Sequence, residues 1–147
     1  MEDIELLKTK VENGFTPCFN DRCPLHGHCL RWQGRQFVSN TVLVTTVVNL
    51  SNPAIGDEQC PMYIPDKPVQ MAYGFVNLLD SMPSKLAKQL MDWMKTVCNR
   101  TYAYEYRNGS RPISPSLQRM IADKCEQLGF TAPIVFDGYR EEYEWER

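Results

Sequence analysis

The chain has 147 residues and a formal net charge of −2, and 43% of its residues are hydrophobic and 23% charged. This composition is ordinary for a globular protein and excludes a disordered or collagen-like chain. The length suits one compact domain over residues 1–147 and is too short for two independent enzymatic domains. We therefore expect a single folded domain with one main core.

We expect no export signal at the N terminus, because Met1-Glu-Asp-Ile-Glu lacks both a basic region and a long apolar region. The most apolar run, residues 41–50, is about half the length that a membrane-spanning helix needs. The sequence therefore predicts a cytoplasmic protein with no membrane partner.

The first predicted element is an amphipathic helix over residues 1–13, with Ile4, Leu7 and Val11 on one stripe and Gly14 at its end. Residues 15–68 follow as a cysteine-rich segment with many Pro, Gly and Asn residues. Its one β-branched run, residues 42–48, predicts one or two strands. Because the rest of this segment offers little core, we expect a metal to hold it together.

From residue 69 onward the apolar pattern becomes regular. One stripe at helical spacing runs from Met71 to Met82 and a second from Leu86 to Val97, which predicts two core helices separated near Pro83.

A strictly alternating segment follows these helices. Tyr102, Tyr104 and Tyr106 alternate with other residues and lead into Asn108-Gly109, a pattern typical of a β-hairpin with a type I′ turn.

The last predicted helix begins at Ser114-Pro115, where serine caps free N–H groups and proline occupies the first turn. It ends at Gly129, a final strand covers residues 134–136, and an acidic, aromatic tail closes the chain. The fold class is therefore α+β: a loop-rich, cysteine-containing N-terminal half packed on a helix, β-hairpin and helix unit over residues 69–147.

Four cysteines, Cys18, Cys23, Cys29 and Cys60, predict one metal centre. Thiolates hold zinc or iron–sulfur clusters more firmly than oxygen ligands do, and disulfides are rare without export. The expected cofactor is a zinc ion or a [4Fe–4S] cluster. Disulfides or free thiols, and a catalytic cysteine, are the alternatives.

The spacing leaves the identity of the metal open. The C-x2-C pair of many zinc sites is absent, and the Cys-Pro steps at Cys23 and Cys60 favour a cluster. His26 and His28 are possible auxiliary ligands, because zinc accepts mixed sets, or else polar residues of an exposed turn. We assign Cys98 and Cys125 to packing.

A basic, tyrosine-rich region is the candidate interaction surface. It combines ring planes for stacking with cations for phosphates, although we favour packing of the tyrosines on the neighbouring helices, because an alternating strand usually buries one face. The surface comprises Arg100, Tyr102, Tyr104, Tyr106, Arg107 and Arg111.

Eight short motifs follow one another in order along the chain. They are Cys18-Phe-Asn-Asp-Arg-Cys23-Pro, Cys29-Leu-Arg31, Cys60-Pro61, Met71-Ala-Tyr-Gly-Phe75, Tyr106-Arg-Asn-Gly109, Arg111-Pro112, Ser114-Pro115 and Phe136-Asp137. As an ordered set over nearly the whole chain they resemble a domain-of-unknown-function family of anaerobic Bacteroidales bacteria. The resemblance implies an intracellular protein of an anaerobe, where an oxygen-sensitive cluster would be tolerated, and it implies no catalytic residue.

The sequence thus predicts a non-enzymatic, metal-stabilised regulatory or interaction module. Its partner is an unidentified macromolecule, which we expect to be a protein rather than nucleic acid. The alternatives are a redox-responsive or catalytic iron–sulfur protein and a nucleic-acid-binding protein that uses the basic region.

Overall fold

A computed structural model of the chain describes residues 2–145; Met1 in the predicted first helix and residues 146–147 in the predicted tail lie outside the described residues. Across the described part there are six α-helices and two β-strands, which confirms the α+β class. They are α1 (Glu2–Glu12), α2 (Leu30–Gly34), β1 (Val69–Tyr73), α3 (Val76–Asp80), α4 (Ser84–Val97), α5 (Arg100–Asn108), α6 (Pro115–Gln127) and β2 (Gly138–Glu142).

The chain divides into two compact units, one of Met1–Pro68 with Tyr143–Arg147 and one of Val69–Glu142. The single-domain organisation stays a prediction. None of the helices between residues 2 and 145 has the length and apolarity needed to cross a bilayer.

The first unit has a small core of Leu7, Leu30 and Ile64. Helix α1 supplies Leu7 and ends at Glu12, as predicted, and Gly14 follows at a φ of +100°. The aromatic ring of Trp145 lies 5.2 Å from that of Phe15, so the end of the described chain packs against this unit.

Loops make up most of the first unit, and hydrogen bonds between backbone groups tie them together. The N–H of Cys18 donates to the carbonyl of Arg31 at 2.9 Å, and that of Leu30 donates to Ile64 at 2.8 Å. The N–H of Val48 donates to Pro17 at 3.0 Å. Four distant segments are therefore held side by side.

The strand prediction for residues 42–48 is wrong, because this stretch is irregular and largely exposed. Leu43 is 100% exposed and Val44 is 86% exposed. β-Branched residues favour a strand only where a partner strand and a face to bury exist. Within residues 2–68 the structure contains no strand that could pair with this segment.

In the second unit β1 and β2 pair antiparallel, from Val69 opposite Glu142 to Tyr73 opposite Gly138. The predicted helix from Met71 is therefore wrong over its first part. Ala72 also exchanges two backbone hydrogen bonds with Ile113, which fixes it as strand. Helix α3 begins only at Val76, whose N–H donates to the Asp137 carboxylate at 2.9 Å.

The predicted hairpin at Tyr102–Gly109 is also wrong, because these residues form α5 and its C-terminal cap. The Asn99 side chain accepts from the N–H of Tyr102 at 2.8 Å and caps the helix. Gly109 adopts a φ of +83° and ends it. The Asn-Gly pair thus closes a helix, since a residue with positive φ serves that role as well as a hairpin turn.

Helix α6 is confirmed, with Ser114 capping it through a hydrogen bond from the N–H of Leu117. Its apolar stripe buries Ile121 and Cys125 completely. The strand predicted over residues 134–136 is wrong, because the strand β2 begins two residues later, at Gly138. Phe136 is nevertheless buried in the core of this unit.

The main core of the second unit is larger and comes from five helices and strands together with the loops between them. It comprises Ala72, Phe75, Leu78, Met82, Leu90, Met94, Ala103, Ile113, Ile121, Cys125 and Phe136.

Candidate metal centre

The four cysteines predicted to bind metal line a single pocket in the first unit. Cys18 and Cys23 come from the loop after α1, Cys29 precedes α2, and Cys60 follows the long irregular segment. Folding therefore brings together four thiols that are far apart along the chain, with thirty residues between the consecutive cysteines Cys29 and Cys60. The pocket is completed by Asn20, His26, Arg31, Trp32, Val48, Ile55, Gly56, Met62 and Tyr63.

Turn hydrogen bonds fix the backbone on either side of the thiols. The N–H of Cys23 donates to Asn20, and the carbonyl of Cys23 accepts from the N–H of His26. The N–H of Cys60 donates to Asp57 at 3.1 Å, and its carbonyl accepts from Tyr63 at 3.1 Å. Both cysteines therefore lie in defined turns although neither lies within a helix or strand.

Gly56 allows the loop before Cys60 to approach the loop that contains Cys18 and Cys23. A Cβ atom on Gly56 would lie 2.6 Å from the Asn20 side-chain nitrogen, so the Asn20 amide would have to move aside. Its φ of +94° is also a conformation that only glycine adopts without strain. This glycine thus serves the convergence of the cysteines.

The thiols are free and partly shielded from water. Cys29 is buried and the other three are half-buried, and no disulfide joins any cysteine within the described chain.

The electrostatics of Cys18 show that the thiols affect one another. Burial raises the pKa of Cys18, and the neighbouring Cys29, Cys23 and Cys60 raise it further. The backbone N–H of Asn20 opposes this by hydrogen bonding. Several thiolates so close together repel one another, so a cation that binds them relieves this repulsion.

Within residues 2–145, no group of three or more His, Cys, Asp or Glu side chains stands where it could hold a metal ion. A single ion would therefore require the cysteine side chains to move from the positions they occupy here. Three of the four lie in loops, where side chains have the freedom to do so.

The two histidines differ in position. His26 lines the pocket, and its Nδ1 donates to the Cys23 carbonyl at 2.7 Å, which leaves Nε2 of the neutral ring unprotonated. His28 is not a pocket residue; its side chain is 74% exposed and its Nδ1 lies 3.8 Å from Asp66. Of the two, only His26 stands where it could assist a metal.

Arg31 is a pocket residue whose role the sequence alone did not reveal. It is 7% exposed, its Nε donates to the Met62 carbonyl at 2.9 Å, and its Nη1 donates to the Thr16 carbonyl at 3.0 Å. Burial lowers the pKa of the guanidinium, while the thiols of Cys29, Cys18 and Cys60 oppose that shift. A lone arginine in a five-residue helix carries no periodic signal, so only its proximity to Cys29 hinted at the site.

The two remaining cysteines lie in the second unit, apart from the metal-site candidates. The Cys98 thiol donates to the Met94 carbonyl at 3.0 Å, and Cys125 is fully buried. Burial raises the pKa of both thiols.

The candidate interaction surface forms two groups, because residues four apart share a helix face and residues two apart do not. In the first group the cations of Lys95, Arg100 and Arg107 lie 5.3, 5.8 and 4.6 Å from the centre of the Tyr104 ring. Lys95 and then Arg100 lower the pKa of the Tyr104 phenol. Lys95 is the member that the sequence pattern did not indicate.

The second group centres on Arg111. Its guanidinium carbon lies 3.7 Å from the Tyr102 ring centre and 5.9 Å from that of Tyr106. Its Nε donates to the Glu105 carboxylate at 2.8 Å. This arginine is therefore an intramolecular partner rather than an exposed cation.

Comparison with known proteins gives a family but no function. The model of a family of unknown function, DUF6078, matches residues 1–145, so the chain belongs to that family. Neither a curated protein nor a solved structure matches the chain.

Proposed function

We propose that this member of the DUF6078 family is a metal-stabilised interaction module, non-enzymatic and cytoplasmic, with Cys18, Cys23, Cys29 and Cys60 as its metal ligands. The observation that carries the proposal is that four thiols from separate segments line one pocket. The chemistry fits, because thiolates are preferred ligands of both zinc and iron–sulfur clusters.

The first role of the metal is to stabilise the first unit. That unit buries a core cluster of three residues, Leu7, Leu30 and Ile64, among those described. So small a core contributes little to stability, and small domains commonly depend on a structural metal. Metal binding would join three loop segments, and its free energy would become folding free energy.

Zinc is the first candidate and a [4Fe–4S] cluster the second. Zinc is favoured because four thiolates are the ligand set of closed structural zinc sites. The Cys-Pro steps and an origin in anaerobic Bacteroidales, which we also propose, favour a cluster. A cluster would make redox sensing the leading alternative function, since half-buried thiols leave a route for oxidants.

Metal analysis and an absorption spectrum on protein purified without oxygen test this proposal. We expect about one zinc per chain with no visible colour, and its loss in a Cys23→Ser, Cys60→Ser variant. Cys98→Ser is the matched control and should retain the metal, because serine can keep the hydrogen bond to Met94. Iron with acid-labile sulfide would favour the redox alternative, and absence of metal from the wild type would refute the proposal.

The contact surface of the module, we propose, is the group of Lys95, Arg100 and Arg107 around Tyr104. Arg100 and Arg107 form no ion pair among residues 2–145, and Lys95 lies 3.9 Å from Asp92. Cations this close to one another favour an anionic partner. An acidic protein segment is the first candidate and single-stranded nucleic acid the second, because Tyr104 offers a ring beside the cations.

Binding of a Glu-rich peptide and of a single-stranded oligonucleotide, each over a range of salt concentrations, tests this surface. An Arg100→Gln, Arg107→Gln variant should bind the peptide more weakly than the wild type. The control Lys85→Gln, Lys88→Gln also removes two positive charges, but from positions on α4 outside this group, and should bind like the wild type. Equal losses in both variants, or no binding by the wild type, would contradict the assignment. Tighter binding of the oligonucleotide, with affinity falling steeply with salt, would favour the nucleic-acid alternative.

A further inference from the structure

Arg31 is a buried cation without a carboxylate partner. Within the described residues it is the only charged side chain that is buried, and it forms no ion pair. Two backbone carbonyls accept its hydrogen bonds, and its guanidinium carbon lies 4.7 Å from the Phe15 ring centre. These contacts orient the side chain but supply no negative charge.

A buried charge is costly unless an opposite charge lies nearby. The groups that share the pocket with Arg31 and can become anionic are the four cysteines and Tyr63. Neutral thiols or disulfides would leave the guanidinium uncompensated, whereas thiolates would compensate it. A buried Arg31 therefore favours an occupied site with a net negative charge.

The net charge differs among the ligand sets that the pocket allows. Four thiolates around a divalent ion carry two negative charges, and one His in place of one Cys reduces this to one. A buried cation stabilises the anionic sets and most of all the set with four thiolates.

We propose that Arg31 is the charge-compensating residue of the cysteine centre and selects an occupant held by four thiolates, with a net negative charge. His26 then contributes no ligand bond but orients the Cys23 turn through its hydrogen bond to the Cys23 carbonyl. This inference rests on the proposed metal centre and adds which ligand set and which charge state the site takes.

Zinc affinity of the full, reduced chain, measured by competition with a chromophoric chelator, tests the role of Arg31. Arg31→Gln keeps a donor for a backbone carbonyl but removes the charge, and Arg31→Lys keeps the charge. We expect the affinity to fall by about 10- to 100-fold in Arg31→Gln, as for other residues that support metal ligands. Arg31→Lys should retain most of the wild-type affinity.

Arg35→Gln is the matched control, because Arg35 lies on the same segment but stacks on Trp32 at 3.5 Å and is not a pocket residue. Its zinc affinity should equal that of the wild type. Denaturant unfolding of the metal-free variants tests the cost of the buried charge. Arg31→Gln, which removes the uncompensated charge, should lower the free energy of unfolding less than Arg31→Lys, which keeps it.

Three results would overturn this inference while leaving the metal centre in place. Arg31→Gln could bind zinc as tightly as the wild type, or Arg31→Lys could lose as much affinity as Arg31→Gln. A His26→Ala variant that loses as much zinc affinity as Cys23→Ser would also overturn it, because His26 would then be a ligand. A wild-type chain that binds no zinc and no cluster would instead refute the proposed function.

Discussion

Gly56 is the residue whose backbone conformation is most directly linked to the convergence of the cysteines. Gly56→Ala should lower both the stability of the first unit and the zinc affinity, because the new Cβ would meet Asn20 at 2.6 Å in addition to the strain of a positive φ. The strain alone is about 1–2 kcal/mol. Denaturant unfolding and the chelator competition measure the two effects.

Gly14→Ala is the control for that substitution, since Gly14 has a φ of +100° and a methyl group added there would have no other atom within 4 Å. It should show the conformational strain without the steric effect. Asn20→Ala in the Gly56→Ala background should recover part of the loss. Equal losses for Gly14→Ala and Gly56→Ala would contradict the close approach of the two loops.

Cys125 gives a prediction for pH dependence. Burial raises its pKa, so the folded state favours the protonated thiol. The protonated Cys125 thiol makes its full contribution to the free energy of unfolding below the pKa of cysteine in the unfolded chain, about 8.5. This contribution is lost as the pH rises through the higher pKa that the thiol has in the folded chain. The stability difference between wild type and Cys125→Ala, measured by urea unfolding, should therefore narrow above about pH 8.5. A difference that stays constant with pH would contradict burial of this thiol.

At the residue level the sequence identified the four pocket cysteines and His26 because cysteine is chemically distinctive and clustered. It did not identify Arg31, Asn20 or Gly56, whose roles depend on which loops meet. It also grouped His28 with the site, but the structure does not place His28 in the pocket, because nearby residues in a loop can point in different directions. Residue type thus indicated the candidate ligands, and only the fold supplied the residues around them.

Among the elements, α5 offers a test of the helix against the predicted hairpin. Asn99→Ala should cost about 1 kcal/mol of stability, because the Asn99 side chain caps the helix. Asn108→Ala should be neutral or slightly stabilising, since alanine is a better helix former than asparagine. Thermal or urea unfolding of the two variants measures both effects.

If these residues formed a hairpin, Asn108→Ala would destabilise the protein more than Asn99→Ala. Asn108 would then occupy a central position of the type I′ turn, where asparagine is strongly favoured, and Asn99 would have no capping role. A larger loss of stability for Asn108→Ala than for Asn99→Ala would therefore refute the helix.

Helices with clear apolar stripes and caps were predictable, as α1, α4 and α6 show. The predictions of secondary structure failed where one sequence pattern is compatible with two structures. The Asn108-Gly109 pair ends a helix as readily as it turns a hairpin, and Met71 lies on an apolar stripe although pairing with β2 makes it strand. Residues 42–48 have high strand propensity but no partner strand within residues 2–68. Strand pairing, or its absence, decided the cases of Met71 and residues 42–48, and local sequence does not encode it. Local capping by Asn99 and Gly109 decided the case of α5.

For the whole molecule, the two units should differ in their source of stability. Removal of metal with a chelator should reduce amide protection in the first unit, for instance at Leu30 and Val48, whose N–H groups bond across loops. Protection at Ala72 and Ile113 in the second unit should persist, because a larger apolar core supports it. Hydrogen exchange with and without chelator measures this difference. An equal loss of protection in both units would contradict it.

The most direct test of the central claim, that the four cysteines bind one metal, is a titration of the reduced, metal-free chain with Co²⁺ followed by visible absorption. Cobalt reports tetrahedral thiolate ligands through intense absorption bands, whereas oxygen ligands give weak ones. We predict intense bands that saturate at one Co²⁺ per chain and disappear in the Cys23→Ser, Cys60→Ser variant. Weak bands, or a spectrum unchanged by that variant, would show that these cysteines do not form a metal centre.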